Sequence, residues 1–127
     1  MNKNYNYLET FEKAKYINIQ TYKKNGYPIL TPVWFIIRDN KIFFRTSHNS
    51  GKIKRIRINN NVKFALCDIR GKIKGEWHEG IAKIEDDSNN IILSQIDKKY
   101  GISSRLLKIF YKIKKINIVI LSIERKN

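Results

Sequence analysis

The densest chemistry in the chain lies between Arg45 and Arg57, which reads Arg-Thr-Ser-His-Asn-Ser-Gly-Lys-Ile-Lys-Arg-Ile-Arg. It begins as the end of an aromatic strand (Ile42, Phe43, Phe44), crosses a short polar loop and becomes a helix. Ser50 offers the hydroxyl that an N-cap uses to accept from a backbone N–H of the first turn. Lys52 and Arg55 lie three apart and share one face of that helix, while Ile53 and Ile56 share another that can pack inward. Backbone N–H groups, the positive end of the helix dipole, hydroxyls and two fixed cations together suit a phosphate. Taken alone, the stretch also reads as a surface helix whose charges are merely solvated.

The remaining reactive side chains are few. His48 sits in the same loop, where an exposed histidine is the simpler reading than a cofactor contact. His78 neighbours Trp77 on a glycine-bearing strand, a surface or interface place rather than that of a proton donor. These two histidines and the scattered acids show no metal-ligand spacing, so no metal site is expected. Cys67, the only cysteine, lies mid-strand beside Leu66 and reads as a small buried side chain rather than a catalytic thiol. No side chain is expected to act as a catalytic acid or base. Trp34 and Trp77 read equally as pocket walls or as core.

These groups must be held by a framework, and the pattern of apolar residues supplies it. Residues 7–15 suit a short helix, with Leu8 and Phe11 on one side. Residues 16–23 alternate as a half-buried strand, and the Asn25-Gly26 pair then turns the chain tightly. A second strand covers residues 29–38, interrupted by Pro32, which cannot donate to a ladder and so marks an edge, a bulge or a place left open. A turn at Asp39-Asn40-Lys41 leads to a third strand, residues 41–46. Asn59-Asn60-Asn61 ends the basic helix, since Asn tolerates the left-handed conformation at a helix end. Residues 62–68 form a fourth strand. Residues 73–84 form a fifth, with Gly75 and Gly80 where a bend or bulge is needed. A loop and N-cap at residues 86–89 precede a helix over 90–100, a second helix covers 103–115, and residues 116–124 return as the last strand.

At 127 residues the chain is expected to be a single domain over its whole length, 1–127. With 42% apolar and 29% charged residues it is globular rather than disordered. The net charge of +15 favours polyanionic partners: a phosphorylated cofactor, nucleic acid or an acidic membrane surface. A lone cysteine excludes an intrachain disulfide, the N-terminal residues lack the apolar core of a signal peptide, and no apolar run approaches membrane-spanning length. The expectation is a cytoplasmic protein without stable membrane association. Helix 103–115 carries Leu106, Leu107, Phe110 and Ile113 on one side, with Arg105, Lys108, Lys112 and Lys115 on the other. It is expected to lie on its own barrel with the cations in water, contact with acidic lipid being the alternative.

The order Thr21, Gly26, Pro28, Thr31-Pro32-Val33-Trp34, Arg45-Thr46, Gly51-Lys52, Arg55-Ile56-Arg57, Cys67-Asp68, Gly71, Gly75, Trp77, Gly80 and Ala82 resembles the pyridoxamine 5'-phosphate oxidase-like split β-barrel proteins. Within them it is similar to the class dependent on coenzyme F420, a deazaflavin. The resemblance implies an α+β, mainly β fold: an FMN-binding-type split β-barrel of about six antiparallel strands, with a short crossover helix and late covering helices. It implies a homodimer with coenzyme F420 or FMN in grooves between subunits, and a small conjugated organic substrate. Thr31, Pro32, Val33 and Trp34 then run beside the ring system. Arg45, Thr46, Ser50, Gly51, Lys52 and Arg55 fall at the phosphate corner, and Trp77 on a strand that approaches the cofactor from the partner chain. Glu76, Asn60 or Asn61, and Asn25 depart from the family pattern, and none of them removes a phosphate position.

The function expected is hydride transfer by the bound coenzyme, the protein supplying orientation, electrostatics and exclusion of water. A non-catalytic flavin, deazaflavin or haem carrier is the alternative. Nucleic-acid binding is not expected, because recognition-helix, zinc and RNA-binding aromatic signatures are all missing from the sequence.

Overall fold

Alternation of apolar side chains builds one antiparallel sheet, and the order of its strands shows how it curls. The computed structural model describes residues 8–126. The strands are β1 (Ile17–Tyr22), β2 (Pro28–Val33), β3 (Ile36–Arg38), β4 (Lys41–Ser47), β5 (Asn61–Leu66), β6 (His78–Glu85) and β7 (Ile118–Arg125). Their order across the sheet is β2-β1-β5-β6-β7-β4-β3. The two edges, β2 and β3, are therefore consecutive in sequence, with only Trp34 and Phe35 between them. The chain itself steps from one edge to the other and closes a split barrel without a hydrogen-bonded ladder at the seam.

Among the described residues four helices fill and cover this barrel: α1 (Leu8–Glu12), α2 (Gly51–Ile58), α3 (Ile91–Tyr100) and α4 (Ile102–Ile113). Inside, Ile17, Ile19, Ile42, Phe44, Phe64 and Leu121 pack with Leu8 and Phe11 of α1 and with Ile53 and Ile56 of α2. On the outer face Ile36, Phe43 and Ile120 pack against Ile92 and Ile96 of α3. Side chains on β4 thus alternate between the barrel interior (Ile42, Phe44) and the layer beneath α3 (Phe43). Arg45, two residues beyond Phe43, shares the face turned towards α3.

Turn chemistry agrees with the residues present. Asp39 and Asn40 both take positive φ (52° and 61°), joining β3 to β4 in two residues. Gly26 takes φ +89° in the β1–β2 turn. Gly80 on β6 is required by close approach: a Cβ there would stand 2.6 Å from Ile123 Cγ2 and 3.0 Å from the Glu124 carbonyl oxygen.

Several expectations are corrected. The long second strand is two strands, because the chain leaves one sheet edge after Val33 and joins the other at Ile36; this gives seven strands rather than six. The fifth strand starts at His78, with only an isolated bridge from Ile73 to Cys67 before it. Asn59 closes α2 in an extended conformation (φ −141°), not a left-handed one, and its N–H donates to the Arg55 carbonyl. The cap expected within residues 86–89 is present: the Asp87 carboxylate accepts from the N–H groups of Ile92 (3.0 Å) and Leu93 (3.1 Å) at the start of α3. Tyr7, the first residue of the expected opening helix, lies outside the described residues.

The largest correction concerns α4. Its inward face carries a polar anchor: Ser104 is fully buried and donates to Asp97 Oδ1 (2.6 Å), and Lys108 donates to Asp97 Oδ2. Leu106, Phe110 and Ile113 face water instead. The hydrogen bonds to Asp97 on α3 fix the rotation of α4, and they overrule its apolar pattern.

Candidate functional site

The strand–loop–helix corner and the edge of β2 meet at a cavity of about 270 Å³. It is lined by Tyr16, Pro32, Val33, Trp34, Arg45, Thr46, Lys52, Ile69, Leu107 and Tyr111. Pro32 lies on an edge strand, opposite Asn18 of β1, so its missing N–H breaks no ladder. Ser50 caps α2, its hydroxyl accepting from Ile53 N–H at 3.4 Å. Lys52 then emerges from the first turn of α2 into the cavity.

Arg45 is the unusual group. Its side chain is 4% exposed. Nε, Nη1 and Nη2 are all buried with no hydrogen-bond partner among the described residues. Asp97 is attractive but distant, its Oδ1 4.0 Å from Nη1. The guanidinium carbon lies 5.5 Å from the centre of the Trp34 ring, whose plane stacks on Tyr100 at 4.6 Å. A buried guanidinium with no acceptor is costly, and a bound anion would satisfy it.

Burial pulls Arg45 below the ordinary arginine value, and nearby Tyr111 and Asp97 oppose that shift. Lys52 is lowered by burial first and then by the charge of Arg55. Both cations are thus poorly solvated and poorly neutralised, the electrostatic condition of an anion site. Burial alone would raise the Asp97 carboxyl. Hydrogen bonds from Lys108 and Ser104, with the charges of Lys108 and Arg45, hold it below the usual carboxylate value.

Of the residues singled out in the sequence, Pro32, Val33, Trp34, Arg45, Thr46 and Lys52 come together around this cavity. Thr31, Ser50, Gly51, Arg55 and Trp77 do not line it. Arg55 turns back along its own helix: Nε donates to Thr21 Oγ1 at 2.6 Å, and the guanidinium covers Gly51, where a Cβ would stand 2.6 Å from Nη1. Trp77 is 38% exposed ahead of β6. His48 is exposed, and His78 packs against the Phe11 and Phe64 rings, its pKa lowered chiefly by burial. Cys67 is buried, which pushes its thiol up, helped by Asp68. No group of three or more His, Cys, Asp or Glu among the described residues is placed to hold a metal ion.

The sequence reading missed Tyr16, Ile69, Leu107 and Tyr111. Leu107 and Tyr111 are four apart on α4, and together with Ser104 and Lys108 they form its inward face. That i, i+4 spacing was the available signal, masked by the stronger apolar stripe on the opposite side.

The sequence profile described as pyridoxamine 5'-phosphate oxidase matches residues 6–122. The chain belongs to the pyridoxamine 5'-phosphate oxidase family. No curated protein matches the sequence. Among solved structures, the haem storage protein HutZ of Vibrio cholerae is 12% identical, with a TM-score of 0.71 over 94% of this chain and 88% of that one. A structure named F420 reductase is 16% identical, with a TM-score of 0.64 over 97% of this chain and 95% of that one. An FAD-binding protein from Mesorhizobium loti is 15% identical, with a TM-score of 0.57 over 94% of this chain and 84% of that one. At these identities the likeness is one of fold: proteins named for haem, F420 and FAD share this family's barrel.

Proposed function

We propose that the chain binds coenzyme F420 or FMN through Arg45, Lys52 and Thr46, and that it works as an oxidoreductase on a small conjugated organic substrate. The observation that carries this reading is the Arg45 guanidinium, buried with all three nitrogens lacking an acceptor and lining the same cavity as Lys52. Arg45 and Lys52 supply charge-assisted donors to an anionic group, and Thr46 adds a hydroxyl. Pro32, Val33 and Trp34 add a largely apolar stretch to the lining, with the Trp34 ring beside the Arg45 guanidinium. When bound, such a coenzyme supplies hydride transfer to or from the substrate. In this reading the chain's share is binding, orientation and exclusion of water, by a lining that includes Tyr16, Lys52 and Tyr111.

At about 270 Å³ the cavity is just below the range of about 300–1,000 Å³ usual for small-molecule sites. A homodimer in which a second copy completes the walls accounts for that shortfall, and Trp77, exposed in one chain, is the side chain we assign to that contact.

The test is spectroscopic. Incubated separately with FMN and with F420, the protein is expected to take up one of them with micromolar or better affinity, seen as a shifted absorption band and altered coenzyme fluorescence. Failure to take up either sinks the reading. A carrier role is the second reading, since a protein named for haem storage shares this fold. A loaded protein that shows no steady-state coenzyme oxidation across a panel of conjugated substrates supports the carrier.

A further inference from the structure

The outward face of α4 is an apolar feature that the cavity leaves unused. Ile102, Leu106, Ile109 and Ile113 recur at spacings of four, three and four, with Phe110 beside them, and these five side chains are 48 to 72% exposed. Apolar residues at that spacing form one continuous stripe along a helix. Around the stripe stand Arg105, Lys112, Lys114 and Lys115, all exposed. From residue 98 to residue 123 the sequence contains no Asp or Glu, so nothing on this segment offsets those charges.

We propose that this face of α4 docks on a membrane surface rich in acidic lipid, the helix lying in the plane of the interface. A ridge of apolar side chains flanked by cations is the pattern of an interfacial helix: the apolar residues enter the acyl boundary and the cations meet anionic headgroups. The helix does not cross the bilayer. Its 12 residues span about 18 Å, against a hydrocarbon core of about 30 Å. No helix among the described residues is long and apolar enough to span a membrane.

A second copy of the chain fits this face less well. Pairing two copies here would set Arg105, Lys112 and Lys114 against the same charges on the partner. The ridge, about 18 Å long and about 10 Å wide, also offers far less than the roughly 800 Å² per partner of a standard interface.

The experiment is co-sedimentation of the full chain with vesicles of phosphatidylcholine alone and of phosphatidylcholine mixed with phosphatidylglycerol. The wild type is expected to bind the acidic vesicles at least about tenfold more tightly than the neutral ones. Ile109→Ser combined with Ile113→Ser preserves the net charge, replaces two exposed side chains and is expected to abolish most of that binding, with the circular dichroism spectrum unchanged. Arg105→Glu combined with Lys112→Glu leaves the apolar ridge intact and is expected to remove the preference for acidic lipid. The proposal is overturned if the wild type ignores acidic vesicles, or if the double serine variant binds them as well as the wild type. It is equally overturned if sedimentation velocity shows that the serine substitutions convert a dimer to a monomer, because the face is then covered by a second copy.

Discussion

Arg45 Nη1 stands 4.0 Å from Asp97 Oδ1, near enough to be attracted and too far to donate a hydrogen bond. Asp97 is already engaged by Ser104 and Lys108, so it does not move to satisfy the arginine. The pair leaves a desolvated cation on β4 pointing at a cavity, held back from neutralisation by its own counter-ion's other partners.

Arg45→Met should therefore stabilise the ligand-free protein. The methionine removes three buried nitrogens whose N–H groups lack acceptors, and Asp97 keeps Lys108 and Ser104. We expect a gain of about 1–2 kcal/mol in urea denaturation. The same change should lower coenzyme affinity by at least about tenfold. A loss of stability with unchanged affinity would assign Arg45 a structural role alone.

Lys52 and Arg55 should separate. Lys52→Ala removes a charge-assisted donor from the cavity and should weaken coenzyme binding about 10- to 100-fold in a fluorescence titration. Arg55→Ala should leave affinity within about threefold and cost about 1 kcal/mol of stability, because Thr21 Oγ1 loses its partner. The double substitution should weaken uptake no more than about threefold beyond Lys52→Ala alone.

Gly80→Ala tests a close contact between β6 and β7. The added methyl meets Ile123 Cγ2 at 2.6 Å and the Glu124 carbonyl oxygen at 3.0 Å, and the latter belongs to the backbone of the neighbouring strand. A loss of about 1–3 kcal/mol in chemical denaturation is expected.

Lys99 predicts a pH dependence. Burial lowers its pKa from 10.5 to about 8, Glu12 opposing the shift, while its Nζ donates to the Phe35 carbonyl at 2.9 Å. Below about pH 8 the ammonium is charged in both the folded and unfolded states, and its desolvation opposes folding. Between about 8 and 10.5 the unfolded chain holds a proton that the folded chain has lost, so stability rises with pH. Above that window the penalty is gone. Because the group is partly exposed, the effect is screened: Tm should rise by about 2–4 °C more in the wild type than in Lys99→Met across the window. Equal slopes would rule Lys99 out as the source.

The strands, the Ser50 cap and the Pro32 edge were legible because each rests on local rules: alternation, a hydroxyl before an apolar-periodic run, a missing donor. Six cavity residues followed, since the order of motifs along β2, β4 and α2 already placed them. Three-dimensional competition was not legible. Arg55 looked like a cavity ligand until Thr21, 34 residues away, captured it. The rotation of α4 was hidden because Ser104 and Lys108 answer to a carboxylate on another helix, and a single polar anchor outweighs a stripe of apolar residues that merely lacks a partner. The break between β2 and β3 left no mark either, because Trp34-Phe35 continues the apolar run through the step from one edge to the other.

That step is fastened by side chains. Tyr100 Oη accepts from Phe35 N–H at 2.9 Å, and its one proton serves the carbonyls of Lys15 (2.8 Å) and Phe35 (2.9 Å). Where other neighbouring strands are zipped by many backbone bonds, the Phe35 backbone here is held by one phenol and one ammonium among the described residues, both carried by the last turn of α3. The barrel therefore has a clasp rather than a weld. Amide hydrogen exchange at Phe35 reports on the clasp directly, since losing that single hydroxyl lets the two borders of the sheet drift apart while every ladder stays whole.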